Sequence, residues 1–284
     1  MADLSRLSVL IPTKDEEKNL PECLESVRGA GEVFVVDSHS TDRTCEIAES
    51  LGAKVFRHKF EDYSKQKNWA FDNLPWSNDW IFIIDADERM TPELAAEIGE
   101  TVSRGPDEAC FLVRRRFVWM GRWLRHGGCF PDWQQRLVRR GRARYEDRSV
   151  NERLVVDGKI GKLKGCLIHE DRKGLSAWLE KHNRYSTMEA LESLREGRDG
   201  QVRPRLFTRD PIARKRFIQR RVWPWVPFKP TAFFLYQYIL RLGFLDGAAG
   251  YRYARLKSRY IYWTELKKRE LLAARAAQGT GKKT

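Results

Sequence analysis

The sequence has few cysteines and no long apolar run, and both absences exclude classes of protein. Its five cysteines lie far apart and include no C-x-x-C pair, which argues against a disulfide framework or a zinc ribbon and favours a reducing compartment. The apolar run of residues 7–11 is too short for a signal peptide, and no 18-residue apolar segment follows it. We therefore expect a cytoplasmic protein without membrane-spanning helices.

Glycine-rich phosphate-binding loops are also missing. The first apolar run is followed by Pro-Thr-Lys-Asp-Glu-Glu (residues 12–17), which has neither the spacing of a dinucleotide-binding turn nor that of a P-loop. This argues against NAD-dependent enzymes and P-loop NTPases. It also weighs against a metal-dependent nucleotidyltransferase, which remains the alternative class of enzyme.

Acidic residues are scarce towards the carboxyl terminus. Residues 201–284 contain 20 Lys and Arg against 4 Asp and Glu, whereas residues 1–200 contain 33 against 35. The same 84 residues hold 15 of the 33 aromatic residues. We therefore predict a catalytic domain over residues 1–200 and a basic, aromatic helical region over residues 201–284.

A basic and aromatic surface fits an anionic partner. Trp and Tyr favour the headgroup level of a bilayer, and Lys and Arg are attracted to anionic lipids. We predict peripheral attachment of residues 201–284 to the inner leaflet of the cytoplasmic membrane. The structural alternative is that Phe233, Phe234, Tyr236 and Ile239 pack onto the catalytic domain while the arginines stay solvated. Nucleic-acid binding through the same charge is the alternative of a different class, but no nucleic-acid motif accompanies it, so we expect no nucleic-acid partner.

The apolar pattern alternates short strands with helices, which predicts an α/β fold with a mostly parallel, Rossmann-like sheet and helices on both faces. The predicted strands are residues 7–11, 32–36, 53–57 and 80–84, and the predicted helices are residues 19–28, 41–51, 64–73 and 92–103. Residues 108–119, 136–140 and 154–157 are predicted as strands of a mixed half-sheet, followed by a helix over residues 175–196.

Polar segments follow three of the predicted strands, where ligands bind in open α/β sheets. Asp85 and Asp87 stand two residues apart after a buried strand and repel each other unless a cation lies between them. Mg²⁺ and Mn²⁺ take carboxylate oxygens and bridge them to phosphates. Asp15 and Asp37 are acceptors suited to a base or ribose, with helix capping as the structural alternative.

In combination, these segments resemble family 2 glycosyltransferases of the GT-A fold. Four motifs carry the resemblance, namely Ser-Val-Leu-Ile-Pro-Thr-Lys-Asp-Glu (residues 8–16), Val-Asp-Ser-His-Ser-Thr-Asp-Arg-Thr (36–44), Lys-Asn-Trp-Ala (67–70) and Asp-Ala-Asp (85–87). Residues 135–140, 150–154, 167–169 and 238–247 are similar to the branch that includes lipopolysaccharide inner-core β-glucosyltransferases.

The resemblance implies an inverting transfer from a nucleotide-diphosphate sugar, such as UDP-glucose, to a lipid-linked saccharide or lipopolysaccharide-core acceptor. It also implies a divalent metal, Mn²⁺ or Mg²⁺, held by Asp85 and Asp87 with His169 as a third ligand. The alternative for His169 is a hydrogen-bonded structural residue. The implied nucleotide-binding residues are Pro12, Thr13, Asp15, Asp37, Lys67, Asp85 and Arg136.

The implied general base is Glu152, which removes a proton from the acceptor hydroxyl. Family members commonly have His-Glu where this chain has Asn151 and Glu152. The competing candidates are Asp132, Glu170 and Asp171. Arg139 and Arg140 are considered, beside Arg136, as phosphate-binding arginines or as a solvated strand face.

Overall fold

The structure is a computed structural model that describes residues 3–146, 153–196, 217 and 221–280. It consists of two units. The first comprises Met1–Trp123 and Cys129–Gly174, and the second comprises Leu124–Gly128 and Leu175–Thr284. The predicted boundary near residue 200 falls in residues 197–216, outside the described ranges. Within those ranges, no helix combines the length and apolarity needed to cross a membrane.

The first unit is an α/β domain, which confirms the predicted fold class. Its strands are β1 (Leu4–Thr13), β2 (Ala30–Asp37), β3 (Lys54–Arg57), β4 (Trp80–Ile83), β5 (Glu88–Met90), β6 (Cys110–Trp119), β7 (Arg122–Trp123), β8 (Asp132–Arg139), β9 (Ala143–Tyr145), β10 (Leu154–Val156) and β11 (Ile160–His169). Its helices are α1 (Leu20–Ser26), α2 (Thr44–Ser50), α3 (Tyr63–Asn73) and α4 (Pro92–Arg104).

The main sheet has the strand order β3-β2-β1-β4-β8-β6-β11-β5, with β7 paired to β6. Strands β3, β2, β1 and β4 are parallel to one another. Strand β8 is antiparallel to both β4 and β6, so β6 and its parallel neighbour β11 run in the same direction as β4. The sheet therefore has a parallel half and a mixed half.

Residues 154–157 were predicted in the mixed half of the sheet, and this prediction is wrong. Among the described strands, β10 pairs with β9 alone, in a separate two-stranded hairpin. The hairpin forms because Tyr145 and Leu154 bury their side chains in a core cluster with Ala70 of α3. These two short strands thus pack on one face of the main sheet instead of extending it.

Alternating apolar residues of the central strands bury two faces of the sheet, as expected from the two-residue period of a strand. On β1, Val9 belongs to one buried cluster and Leu10 belongs to the other. The first cluster includes Leu24 of α1 and Leu94 of α4, and the second includes Ala70 of α3. Helices therefore cover both faces, as predicted.

The carboxyl ends of the parallel strands meet along one border of the sheet, which we call the carboxyl edge. Strand β1 ends at Thr13, β2 at Asp37, β4 at Ile83 and β11 at His169. The parallel register places Thr13 opposite Asp37. All three polar segments predicted to bind a ligand begin at this edge.

The second unit is helical. It contains α5 (Gly174–Glu196), a 3₁₀ turn (Trp223–Trp225), α6 (Lys229–Leu235), a π-helical turn (Tyr236–Leu240), a 3₁₀ turn (Gly243–Asp246) and α7 (Gly247–Thr280). Polar contacts join α5 to α7, because the Tyr260 hydroxyl donates to Glu189 and the Lys267 ammonium donates to Asn183. The buried Asp246 carboxylate accepts from the backbone N–H groups of Arg125 and His126.

Candidate active site

Asp37 is a fully buried carboxylate at the carboxyl edge. Its Oδ1 accepts a hydrogen bond of 3.1 Å from Thr13 Oγ1, and its Oδ2 accepts one of 2.8 Å from the backbone N–H of Ser40. Pro12 lies beside Thr13 on β1 and is paired with Val36. These contacts hold the ends of β1 and β2 together and fix the Asp37 side chain.

Asp15 links the loop after β1 to the loop after β2. Its backbone N–H donates to Ser40 Oγ (2.8 Å), and its Oδ1 accepts from the backbone N–H of Thr41 (2.7 Å). Burial acts to raise the pKa of the Asp15 carboxyl, but the hydrogen bonds from Thr41 and the charge of Lys14 outweigh burial, and the pKa is lowered. Asp15 is therefore a carboxylate at neutral pH.

Asp15 and Asp37 do not cap the helices that follow them. The N-cap residues of α1 and α2 are Asn19 and Arg43. The backbone N–H of Thr44, at the start of α2, donates to Asp42 and not to Asp15 or Asp37. The bonds of Asp15 and Asp37 instead shape the two loops at the carboxyl edge.

A buried ion-pair network supports Asp85, the first carboxylate after β4. Arg136 Nη2 donates to Asp85 Oδ2 at 2.7 Å and to Glu88 Oε1 at 2.6 Å. Glu88 is fully buried, whereas the Asp85 side chain keeps 35% of its surface exposed. Burial acts to raise the pKa of Asp85, but the charges of Arg136 and Lys67 lower it far below its usual range. Asp85 therefore presents a permanent negative charge.

A β-bulge brings Arg136 to this position. Leu137 is paired with Phe111 and Gln135 with Leu112, so Arg136 is an extra residue of β8 without a partner on β6. Bulges redirect side chains and are common next to active sites. The Nε atom of Arg136 is buried and has no hydrogen-bond partner among the described residues.

Asp87 and His169 lie together at the carboxyl edge. His169 Nε2 is 3.2 Å from Asp87 Oδ2, because the pairing of β5 with β11 sets Glu88 opposite His169. The Nδ1 atom of His169 is buried and has no hydrogen-bond partner in the described part of the chain. Asp87 and His169 are thus adjacent, as two ligands of one cation must be.

The donor set fits a divalent cation that is held partly by substrate. Asp85 is engaged by Arg136, and the described residues contain no group of three His, Cys, Asp or Glu side chains arranged as a metal site. Mg²⁺ usually binds one or two carboxylates together with substrate phosphates and water, not a closed cage of protein ligands. Asp87 and His169 are therefore suited to hold such an ion.

Lys67 connects α3 to this site. It is 7% exposed, its Nζ lies 5.0 Å from the ring centroid of Tyr145, and its charge helps to lower the pKa of Asp85. The neighbouring Asn68 exchanges two hydrogen bonds of 2.9 Å with the backbone of Tyr145. Residues 67–68 therefore hold the β9–β10 hairpin against the domain.

The predicted base, Glu152, lies in residues 147–152, which connect β9 and β10 and are outside the described ranges. The other candidates for the base, Asp132, Glu170 and Asp171, all accept hydrogen bonds from neighbouring residues. Asp132 Oδ2 accepts two hydrogen bonds from Arg115, and Glu170 Oε2 accepts one of 2.6 Å from Arg89. Asp171 Oδ1 accepts from two donors, at 3.1 and 3.0 Å.

Arg139 and Arg140 lie far from the carboxyl edge. Strand β8 is antiparallel to β4, so its last residues stand beside Trp80, where β4 begins. The Arg140 guanidinium donates to the backbone oxygen of Trp76, and the Arg139 guanidinium lies over the Trp80 ring. The suggestion that these two arginines bind phosphates is not supported by their positions.

Sequence reasoning missed three charged residues of the site. Glu88 and Arg115 belong to the network around Asp85, since Arg115 Nη1 lies 3.4 Å from Glu88 Oε1. Glu16 pairs with Lys173 at 2.6 Å, and burial together with the nearby charge of Asp87 raises the pKa of Glu16. The signal for Glu88 was available, because it is the third acid within four residues.

Comparison with known families gives the class of this α/β protein. The model described as glycosyl transferase family 2 matches residues 8–158, more than half of the chain. The chain belongs to this family, so it is an inverting glycosyltransferase, and its α/β domain is the GT-A fold. The predicted family and enzyme class are confirmed.

The comparisons also give individual proteins to which this chain is similar. The chain is 28% identical over 270 residues to the lipopolysaccharide core biosynthesis glycosyltransferase LpsC of Rhizobium meliloti, covering 90% of this chain and 92% of that protein. It is 30% identical over 207 residues to an uncharacterized glycosyltransferase of Rickettsia felis, covering 69% and 72%. Among solved structures it is similar to glucosyl-3-phosphoglycerate synthase from Mycobacterium tuberculosis in complex with Mn²⁺, UDP and phosphoglyceric acid (17% identity, TM-score 0.46, covering 69% and 80%).

Proposed function

We propose that this glycosyltransferase transfers a hexose from a UDP-hexose, such as UDP-glucose, to a lipid-linked saccharide or lipopolysaccharide-core acceptor. The observation that carries the proposal is the convergence of Asp37, Asp85 and Asp87 at the carboxyl edge, where open α/β sheets bind ligands. The nature of the acceptor is taken from the similarity to LpsC, which extends over 90% of this chain.

The nucleoside half of the donor binds at the ends of β1 and β2. Asp15 and Asp37 supply carboxylate oxygens that accept hydrogen bonds from the uracil and ribose, and Pro12 and Thr13 line the same end of β1. The support is that Asp37 is buried and fixed by Thr13 and Ser40 before any ligand arrives. A preformed acceptor loses little conformational entropy when the ligand binds.

The diphosphate half binds at Asp85, Asp87 and His169. Mn²⁺ or Mg²⁺ bound by Asp87 and His169 would supply charge stabilisation to the departing diphosphate. Lys67 and Arg136 place two further positive charges beside Asp85. Fixed charges aimed at a developing negative charge are among the largest contributions to catalysis.

Glu152 serves as the general base and removes the proton of the acceptor hydroxyl. Its support is indirect, because the carboxylates of Asp132 and Glu170 are each held in an ion pair by an arginine and are not free to contact an acceptor hydroxyl. The hairpin whose connecting segment contains Glu152 is held by Asn68 next to Lys67, which itself contributes to the electrostatics of Asp85.

Residues 201–284 attach the enzyme to the anionic inner leaflet of the cytoplasmic membrane. The described part of this region exposes large apolar side chains, with Trp225 at 87%, Phe228 at 85% and Leu240 at 74%. Residues 221–280 carry eleven Lys and Arg against three Asp and Glu. Exposed aromatic residues with a positive net charge match the interfacial region of an anionic bilayer.

The test is a transfer assay with UDP-glucose, Mn²⁺ or Mg²⁺, and lipopolysaccharide truncated to its inner core. We expect release of UDP and a β-linked product, identified by the anomeric coupling constant in its NMR spectrum. GDP-mannose serves as the comparison donor. Failure of every UDP-hexose to give a product would contradict the proposed donor class.

A further inference from the structure

Three consecutive arginines of β6 point to different faces of the sheet. Side chains alternate along a strand, so Arg115 faces one side while Arg114 and Arg116 face the other. Arg115 forms ion pairs with Asp132 and Glu88 of the donor site. Arg114 and Arg116 therefore require a separate explanation.

Neither of these two arginines forms an ion pair in the described part of the chain. The charge of Arg116 acts only at longer range, where it helps to lower the pKa of the exposed Glu93 at the start of α4. Among the described residues, no Asp or Glu lies within ion-pair distance of Arg114 or Arg116, and the Nε atom of each is buried without a hydrogen-bond acceptor. A buried donor without an acceptor destabilises the folded protein, and a ligand that supplies the acceptor removes this cost. Lys162, which the register places opposite Leu112 on the neighbouring strand, adds a third positive charge.

Aromatic rings surround these charges. The Arg114 guanidinium lies 5.8 Å from the ring centroid of Phe130 and 5.9 Å from that of Trp133. The Arg116 guanidinium lies 5.0 Å from the Trp123 ring. Lys162 Nζ lies 5.2 Å from the ring centroid of Trp133. We use the name Arg114–Arg116 cluster for the set of six side chains, namely Arg114, Arg116, Lys162, Trp123, Phe130 and Trp133.

The cluster lies beside the β9–β10 hairpin. Trp133 and Gln135 are two residues apart on β8 and so share a face of the sheet. The Gln135 side chain donates to the backbone oxygen of Leu154 at 3.0 Å and accepts from its N–H at 3.3 Å. Leu154 begins β10 and follows Glu152 by two residues in the sequence.

We propose that the Arg114–Arg116 cluster binds an anionic group, a phosphate or a carboxylate, on the saccharide acceptor. Guanidinium groups bind both anions through paired hydrogen bonds, and the buried Nε atoms would then gain an acceptor. The aromatic rings offer flat apolar surfaces for a sugar ring. This inference rests on the proposed function, because it assigns the acceptor of the same reaction a negative charge.

The experiment is calorimetric titration of the full-length protein with glucose 6-phosphate, glucuronate and glucose, each with and without saturating UDP and Mn²⁺. The double variant Arg114→Gln/Arg116→Gln removes both charges. The double variant Arg114→Lys/Arg116→Lys keeps both positive charges but removes the paired N–H donors of the guanidinium groups. Arg139→Gln is the matched control, since Arg139 is also an arginine over a tryptophan of the same sheet, at the opposite edge.

We expect one of the two anionic sugars to bind at least about tenfold more tightly than glucose, with UDP present, to the wild type and to Arg139→Gln. The glutamine double variant should lose this preference, and the lysine double variant should keep part of it. Preference for glucose 6-phosphate identifies a phosphate, and preference for glucuronate identifies a carboxylate.

Equal affinity for charged and uncharged sugars in the wild type would overturn the inference, as would an unchanged preference in the glutamine double variant. Titration with UDP and Mn²⁺ alone tests the proposed function separately. Absence of UDP binding by the wild type would contradict the proposed donor site. The comparison of charged with uncharged sugars, measured without UDP, would still test the anion-binding inference. A circular dichroism spectrum identical to that of the wild type shows that each variant is folded.

Discussion

The Nη2 atom of Arg136 lies 2.7 Å from the Oδ2 atom of Asp85. The same nitrogen lies 2.6 Å from the Oε1 atom of Glu88, which is fully buried. One guanidinium group therefore compensates two carboxylates, of which Asp85 faces the carboxyl edge and Glu88 faces the interior. The stability of the sheet and the charge of the donor site thus depend on the same side chain.

The first prediction concerns this arginine. Arg136→Gln should lower the free energy of unfolding by about 3 kcal/mol, because removing one partner of a buried ion pair leaves an uncompensated charge. Urea denaturation measures the change. The control is Arg140→Gln, whose side chain is 44% exposed and pairs with the exposed Asp79. We expect the control to cost less than about 1 kcal/mol, and equal losses in the two variants would contradict this account.

The second prediction concerns the nucleoside end of the site. Asp37→Asn should weaken UDP binding by about tenfold or more, because the amide presents an N–H group to one of its two former donors, Thr13 or Ser40, and the side chain must turn. Asp42→Asn is the control, since Asp42 accepts from the backbone of the neighbouring loop. If Asp37→Asn binds UDP as tightly as the wild type, Asp37 does not contact the nucleoside.

The third prediction concerns the base. Glu152→Gln should reduce the transfer rate by about 10²–10⁴-fold and leave UDP affinity unchanged, because the amide keeps the shape of the side chain but cannot accept a proton. Single-turnover kinetics with the core acceptor measure the rate. Asp132→Asn and Glu170→Gln are the comparison variants. A larger loss in either of them, with Glu152→Gln active, would move the role of base to that residue.

The fourth prediction concerns membrane attachment. Trp225→Ser combined with Phe228→Ser should weaken binding to vesicles of phosphatidylglycerol by more than about tenfold, because each buried aromatic side chain contributes about 1.5–3 kcal/mol. Co-sedimentation measures the bound fraction. Phe60→Ser is the control, since Phe60 is an exposed phenylalanine of the first unit.

Removal of residues 214–284 should release the protein from the same vesicles, whereas zwitterionic vesicles should bind the intact protein more weakly. Unchanged sedimentation of both the truncated protein and the double variant would show that another part of the chain attaches the enzyme.

Much of the first unit could be predicted from its apolar pattern. Each predicted strand and helix of residues 7–103 is present. Strands β1, β2 and β4 contain short apolar runs that parallel pairing buries on both faces, whereas β3 lies at the edge of the sheet and exposes Lys54 and Arg57. Strand β11 was missed. Its residues include Lys162, Lys164 and two glycines, and only pairing with β6 and β5 shows that it is a strand.

The site was predictable only where the chemistry lies next to a strand end. Thr13, Asp37 and Asp85 follow apolar runs, so their meeting at one edge follows from the parallel order. The ion-pair network of Arg136 could not be predicted from the strand order, because its members are separated by up to 51 residues and meet through a bulge. A bulge leaves no distinct pattern in the sequence, and it decides to which face Arg136 points.

The measurement that tests the central claim most directly is calorimetric titration of the intact protein with UDP, with and without Mn²⁺, beside the Asp87→Ala variant. The account predicts UDP binding that Mn²⁺ strengthens, and a loss of that strengthening by at least about tenfold in Asp87→Ala. Absence of UDP binding under both conditions would contradict a UDP-sugar donor site at the carboxyl edge. Metal-dependent binding that survives Asp87→Ala would remove Asp87 from the metal site.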